Sequence, residues 1–357
     1  MFFLKYKSVN SLLAIFLALA IASLSVLAIG KSPWLCFTSL WEGAFGTAAN
    51  LAGTLIKATP LLLTGLSVAV AFQAGLFNIG GEGQLYLGAI GAAYLGTQFP
   101  WLSSVAYIPF ILTLSAAIGA GWALIAALLK IKRGIHEVIS TIMLNYIAIY
   151  LTDYLVSAPL RVNAFSSKTA DILESARLKV IWDLVVVQLS WGFPLALAAC
   201  IMFYIFIKFS VAGYKLRLVG ANSSAAEYGG VNKNNQILKA MGLSGACTGL
   251  AGALIILGQQ HTFYAQFSPG YGYDGIAVAL LANNNPLGVI PAAFFFGGLR
   301  SADRWIQLKA GIPKELVFII QGLTVLLVGM DKLFTKSHQA KILHRSETRH
   351  PRRLLLL

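Results

Sequence analysis

The chain has 357 residues, of which 57% are hydrophobic and 11% charged, with a net charge of +14 and a mean hydropathy of +0.74. A soluble domain carries about 25% charged residues, so this composition excludes an ordinary soluble protein and points to a polytopic membrane protein. The basic excess lies in short segments beside apolar runs, as topology signals do. No aromatic-basic module accompanies it, which speaks against a nucleic-acid role.

Apolar runs predict about ten spans, near residues 11–30, 51–74, 83–99, 105–129, 138–157, 191–209, 241–258, 273–284, 286–300 and 315–330. The fold class expected is all-α, a transmembrane helix bundle with two pseudo-repeats and interrupted helices. Its parts are an N-terminal span and outer loop (1–45), a transmembrane domain (46–330) and a basic tail (331–357). The first run follows Lys5 and Lys7 and is long enough to cross, so it reads as a retained span rather than a cleaved leader.

Charge sets the orientation. Lys5 and Lys7, the turn Lys130-Ile131-Lys132-Arg133, the segment 208–240 and the tail after Asp331 are all basic, and all fall on one side of this span pattern. The expected topology is multi-pass with both termini cytoplasmic. The loop 158–190 mixes signs and reads as outside. The segment Arg300 to Glu315 is the exception, because it is basic yet falls outside.

Two apolar pairs surround polar breaks. The first break holds Gln73, then Phe77-Asn78-Ile79-Gly80-Gly81-Glu82-Gly83-Gln84; the second is Leu281-Ala282-Asn283-Asn284-Asn285-Pro286-Leu287-Gly288. Hydrocarbon supplies no partners to backbone groups, so such breaks belong in protein, in a wet cavity or at the surface. Interrupted segments in corresponding halves are the usual pointer to a transport site. Asn78, Glu82 and Gln84 could then meet a polar solute, or the glycines could simply allow a tight interfacial turn. Upstream of the second break, Tyr271, Tyr273 and Asp274 open a span. Asp274 there either serves the helix dipole or faces the outer mouth of a path with the two tyrosines.

The inside segment Gly213 to Val231 carries its own signals. Gly220-Ala221-Asn222-Ser223 reads as a turn and cap, Ser224 to Tyr228 as a short helix, and Gly229-Gly230 as its stop. It is either a docking knob for a partner or an ordinary juxtamembrane loop.

Catalytic chemistry is not indicated. Gly30-Lys31-Ser32 imitates the end of a phosphate loop, but the required upstream glycine position holds Ser25. The histidines are scattered, the three cysteines Cys36, Cys200 and Cys247 are far apart, and no G-x-S-x-G elbow occurs. The expectation is no enzyme, no cofactor and no metal site.

Taken together, four stretches resemble the inner-membrane permease subunits of ABC importers. They are Gly75 to Gln84, His136 to Tyr146, Gly213 to Val231, and Gly270 to Leu280 with Asn285-Pro286-Leu287-Gly288 behind it. The nearest branch is the one for simple sugars and nucleosides, served by basic-membrane-protein-type receptors, within the branched-chain amino acid/ribose permease family. The resemblance runs from about residue 45 to 330. It implies a subunit of an ATP-driven importer that forms the path for a small polar solute, a nucleoside or simple sugar. Its implied partners are a cytoplasmic ABC ATPase, a second permease, usually a different chain, and an extracytoplasmic solute receptor. Gln73, Phe77, Asn78, Glu82, Gln84, Tyr271, Tyr273 and Asp274 become path candidates. Arg217, Gly220, Asn222, Glu227 and Gly229 become ATPase-coupling candidates. The chain departs from the family pattern at Ala221, Ala282 and Asn283. Two other readings compete. An ion-gradient-coupled transporter would lean on Glu82 or Asp274 as its titratable group, and a purely structural membrane protein would have no use for the breaks.

Overall fold

The computed structural model describes residues 17, 19–163, 165–184, 187–313, 318–320, 322, 323 and 326. The expected basic tail (331–357) lies outside the described residues, as do the start of the first expected span and most of the last. The chain divides into two units, residues 34–314 and a second drawn from the two chain ends. In the second unit, the described part of the first expected span is a short apolar helix, α1 (Leu19–Ala28).

The larger unit begins within α2 (Pro33–Phe45). Its helices are α3 (Ala48–Gln73), α4 (Gly81–Leu95), α5 (Ser104–Arg133), α6 (Glu137–Ser157), α7 (Gly192–Phe209), α8 (Val211–Ala221), α9 (Ser223–Tyr228), α10 (Lys233–Ile255), α11 (Tyr271–Leu281), α12 (Pro286–Ser301) and α13 (Asp303–Trp305). The last turns of α10 and α13 widen into π-helix at Ile256–Gln260 and Ile306–Ala310. Five of the described helices are long and apolar enough to cross a membrane: α3, α5, α6, α7 and α10 with its π turn. The chain is therefore a helical membrane protein. A hairpin of β1 (Val180–Leu184) and β2 (Val187–Ser190) sits in the long loop before α7, which a purely helical expectation leaves out. Val180, Ile181, Val187 and Leu189 supply the β-branched and aliphatic residues that favour a strand.

Local chemistry fixes the helix ends. The Thr47 side chain accepts from Asn50 N at 3.1 Å to start α3, and Asn232 does the same for Asn235 N at 3.0 Å at the start of α10. That cap extends α10 eight residues before the expected span, through Lys233 and Lys239. Helix α5 likewise runs past its expected end to Arg133 and stops at Gly134, in the left-handed region with φ +68°. Within α3, Pro60 has no N–H to give, which frees the Ile56 carbonyl. The Gln259 amide donates to that carbonyl at 3.2 Å.

The core is built on α3 and α10, which other helices cover on most sides, while α6 and α7 leave most of their surface open. Helix α10 crosses α5 in the antiparallel sense. At their closest approach Gly119 and Gly249 bring the backbones together, and a Cβ on Gly119 would come within 2.8 Å of Gly249 Cα. Membrane helices use small residues in this way to gain van der Waals contact. Helices α3 and α11 run side by side in the same direction: Thr64 packs on Gly275, Gly65 on Val278, and Gln73 reaches Asn284.

Candidate functional site

That parallel pairing places the first break. Gln73, the end of α3, lies beside Asn284 at the end of α11. Glu82, in the first turn of α4, lies beside Gly272 at the start of α11. Residues 74–80 therefore climb back along α11, a rise of roughly 16 Å for its eleven residues, and α4 begins partway along the bundle. Seven extended residues reach that far. Their backbone groups then need partners that helical bonding cannot give.

Side chains supply those partners. Asn78 Oδ1 accepts from Gly80 N at 2.9 Å and from Gln84 Nε2 at 3.1 Å. Asn78 Nδ2 donates to Gln84 Oε1 at 3.0 Å and Ser244 Oγ at 2.8 Å. Ser244 Oγ shares a proton with Ser67 Oγ at 2.8 Å, and Thr248 Oγ1 donates to Gln84 Oε1 at 2.8 Å. Asn145 on α6 accepts from Gly83 N and donates to the Ile79 carbonyl, both at 2.8 Å. Asn78 is 0% and Gln84 1% exposed. The amides thus knit α3, α4, α6 and α10 around the break.

A second cluster holds the start of α11. Glu82, 2% exposed, accepts from Gly272 N at 2.6 Å. That is a carboxylate at a helix N-terminus, favoured by the unsatisfied N–H groups there. Asp274 forms an ion pair with Arg300 of α12. The same guanidinium donates to the Pro269 carbonyl at 3.0 Å and lies 5.2 Å from the centre of the Tyr271 ring. Buried charges persist when they are paired and hydrogen-bonded, and both conditions are met. Among the path candidates, Asn78, Glu82, Gln84 and Tyr271 are buried, whereas Gln73, Phe77 and Asp274 are half-buried and Tyr273 is 42% exposed. The Tyr273 hydroxyl accepts from Asn145 Nδ2 at 3.4 Å. Phe77 stacks edge-on against Phe72 with ring centres 4.7 Å apart.

Ser67, Asn145, Ser244, Thr248 and Arg300 join the site only through the fold. Arg300 carried a usable signal, a charge beside an apolar run. The hydroxyl residues carried none, since serine and threonine inside spans commonly bond their own helix.

At the second break the chain turns without glycine. Asn283 and Asn284 take φ of 52° and 58°, a region asparagine tolerates better than most residues. The Asn285 side chain then caps α12, accepting from Leu287 N at 3.1 Å. The two breaks meet through Gln73 Nε2, which donates to the Asn284 carbonyl at 2.8 Å.

The segment after α7 forms two short helices. Ser210 caps α8, accepting from Gly213 N at 2.9 Å. Asn222 caps α9, accepting from Ala225 N at 3.0 Å, and Gly229 and Gly230 end it. Arg217, Gly220, Asn222, Glu227 and Gly229 are all exposed, as is Tyr228 at 96%. Ala226 and Val231 pack inward with Val219 and Leu218 and hold α9 against the end of α8.

Comparison with known proteins agrees with this architecture. The family model described as branched-chain amino acid transport system / permease component matches residues 50–329. The guanosine ABC transporter permease protein NupP of Bacillus subtilis is 39% identical over 323 residues, covering 89% of this chain and 91% of that protein. The glucose ABC transporter permease protein TsgB13 of Haloferax volcanii is 31% identical, covering 91% of this chain and 87% of its own. The nucleoside ABC transporter permease protein NupB of Lactococcus lactis is 30% identical over 91% of both chains. No solved structure matches. With a family match that runs through both breaks and the α8–α9 knob, this chain belongs to the permease components of the branched-chain amino acid transport family.

Proposed function

We propose that the chain is the membrane-spanning permease of an ABC importer for nucleosides, with simple sugars as the next class. The observation that carries the substrate reading is the near full-length likeness to permeases named for guanosine and nucleosides. The permease domain covers about residues 46–330, and the chain crosses the bacterial inner membrane about ten times, with α4, α11 and α12 counted as spans and both termini cytoplasmic. The two breaks are the corresponding interruptions of two pseudo-repeats.

In this reading the path passes the faces of Phe77, Tyr273 and Gln73 that remain open. Asp274 and Tyr271 frame its upper part from α11. The buried Asn78, Glu82 and Gln84 hold the wall in shape from behind. Aromatic rings suit a flat base, and a phenol suits a ribose. The chain supplies no catalytic group. Hydrolysis falls to a separate ATPase that seats on α8–α9 through Arg217, Asn222 and Glu227, with Gly229 permitting close approach and Gly220 seating α8 against the end of α3. A receptor delivers solute from outside, and a second permease, a different chain, completes the path.

The test is uptake of radiolabelled guanosine by liposomes that hold the assembled importer and its receptor. Competition by other nucleosides, with no competition by glucose or ribose, is the expected result. Competition by sugars alone would overturn the nucleoside reading.

A further inference from the structure

We infer that Gln73 is a positioning residue that ties the α8–α9 knob to the turn between α11 and α12. The inference rests on the reading of that knob as the ATPase seat.

Three observations form the chain of contact. Gly220, near the end of α8, lies against the end of α3 with no side chain between. A Cβ there would overlap the Gln73 carbonyl and come within 2.9 Å of Gly75 N. Gly75 answers from the other side. It has φ +71°, and a Cβ on it would meet Gly220 Cα at 3.3 Å. Backbone pressed on backbone cannot absorb a displacement by changing rotamer. The next link is the side chain of Gln73, whose amide donates to the Asn284 carbonyl at 2.8 Å. The acceptor sits in a tight left-handed turn, Asn283 to Asn284, from which α11 and α12 both depart.

Motion of α8 therefore has a direct route to the two helices that carry Tyr273, Asp274 and Arg300. The other amides of the break, Asn78 and Gln84, are spent on each other and on Ser244 and Thr248. Gln73 bonds across 211 residues of sequence to the other break. It is half-buried at the edge of the packed core, so the fold does not depend on it as it does on the buried network.

The experiment uses the assembled importer in liposomes, with guanosine as the probe, and reads solute moved per ATP hydrolysed. Gln73→Met keeps the length of the side chain and removes the donor. The ratio is expected to fall at least fivefold while the ATPase still co-purifies. Asn284→Gly keeps both the carbonyl and the left-handed turn, and its ratio is expected to stay within twofold of the parent. A normal ratio in Gln73→Met overturns the inference, and so does an equal fall in both variants. Should Gln73→Met not assemble, Leu287→Cys in the otherwise unchanged chain provides the second reading. Its maleimide reactivity is expected to change at least threefold between the nucleotide-free and vanadate-trapped complex, and an unchanged rate overturns the inference. The ATPase seat is tested apart from this: an Arg217→Ala, Glu227→Ala double variant that still retains the ATPase sinks that reading, whatever Gln73→Met does.

Discussion

Asn78 does the work of several residues with one amide. It satisfies the Gly80 N–H, pairs with both polar atoms of Gln84 and donates to Ser244. Asn78 is fully buried, so removing it strands each of those partners, and each stranded group costs about 1–3 kcal/mol. Asn78→Ala is expected to destabilise the protein by about 2–4 kcal/mol, read as denaturant unfolding in detergent micelles. A loss below about 1 kcal/mol would mean that the network relaxes around the gap. The Asp274–Arg300 pair makes a different prediction. Removing one partner of a buried pair leaves a charge with no compensation, at roughly 3–5 kcal/mol, whereas replacing both can be close to neutral. Arg300→Met alone is therefore expected to harm stability more than Arg300→Met with Asp274→Asn. Additive losses in that double-mutant cycle would show that the two groups act separately. The polar residues of the first break were legible because amides and a carboxylate stand out against an apolar run. Their partners were not. Ser67 and Ser244 lie 177 residues apart, and nothing local in either distinguishes a network hydroxyl from one that bonds its own helix.

At the scale of elements, short-range signals were read well and long-range ones poorly. The α8–α9 knob follows from Asn222 as cap and Gly229-Gly230 as stop, because capping is settled within a few residues. The helix packing of α10 on α4 and α5 was not read, although Gly245, Gly249 and Gly252 carry it. Glycines in a span look alike until the partner backbone is present. The knob offers a prediction of its own. Asn222→Ala removes the acceptor for Ala225 N, and a lost N-cap costs about 1 kcal/mol. Binding of the ATPase to the permease is expected to weaken by roughly fivefold if α9 must be helical to bind. Measured affinity equal to the parent would mean that the ATPase reads the exposed side chains and not the helix. The same scale accounts for two of the basic residues in the exception to the charge pattern. Arg300 is consumed by Asp274, and Lys309 pairs with Glu42 and lies 4.8 Å from the centre of the Trp305 ring. Charges already paired within the protein exert less pull on orientation than free ones. That segment is thus compatible with an outer position.

For the whole molecule, the direction of the helices turns this charge argument into a prediction of topology. Helices α3 and α11 run together, and α5 runs against α10, so the end of α3, the α11–α12 turn and α8–α9 lie towards one end of the bundle. By the charge rule, the basic segments around Lys130 and between Lys208 and Lys239 predict that end to be the cytoplasmic one. Opposite it stands the loop before α7, where Phe165 is 99% exposed. The native cysteines Cys36, Cys200 and Cys247 are all buried, so they give a low background to thiol reagents. Two single variants then report the two ends. Phe165→Cys is expected to react with a membrane-impermeant maleimide in intact cells. Tyr228→Cys, on the exposed knob, is expected to react only after the membrane is opened. The reverse pattern would put the knob outside, where no ATPase could reach it, and would remove the physical basis for reading α8–α9 as its seat. Labelling of both from outside would instead place the intervening stretch, α6's partner loop and α7, on a single side, which is incompatible with α7 crossing the membrane.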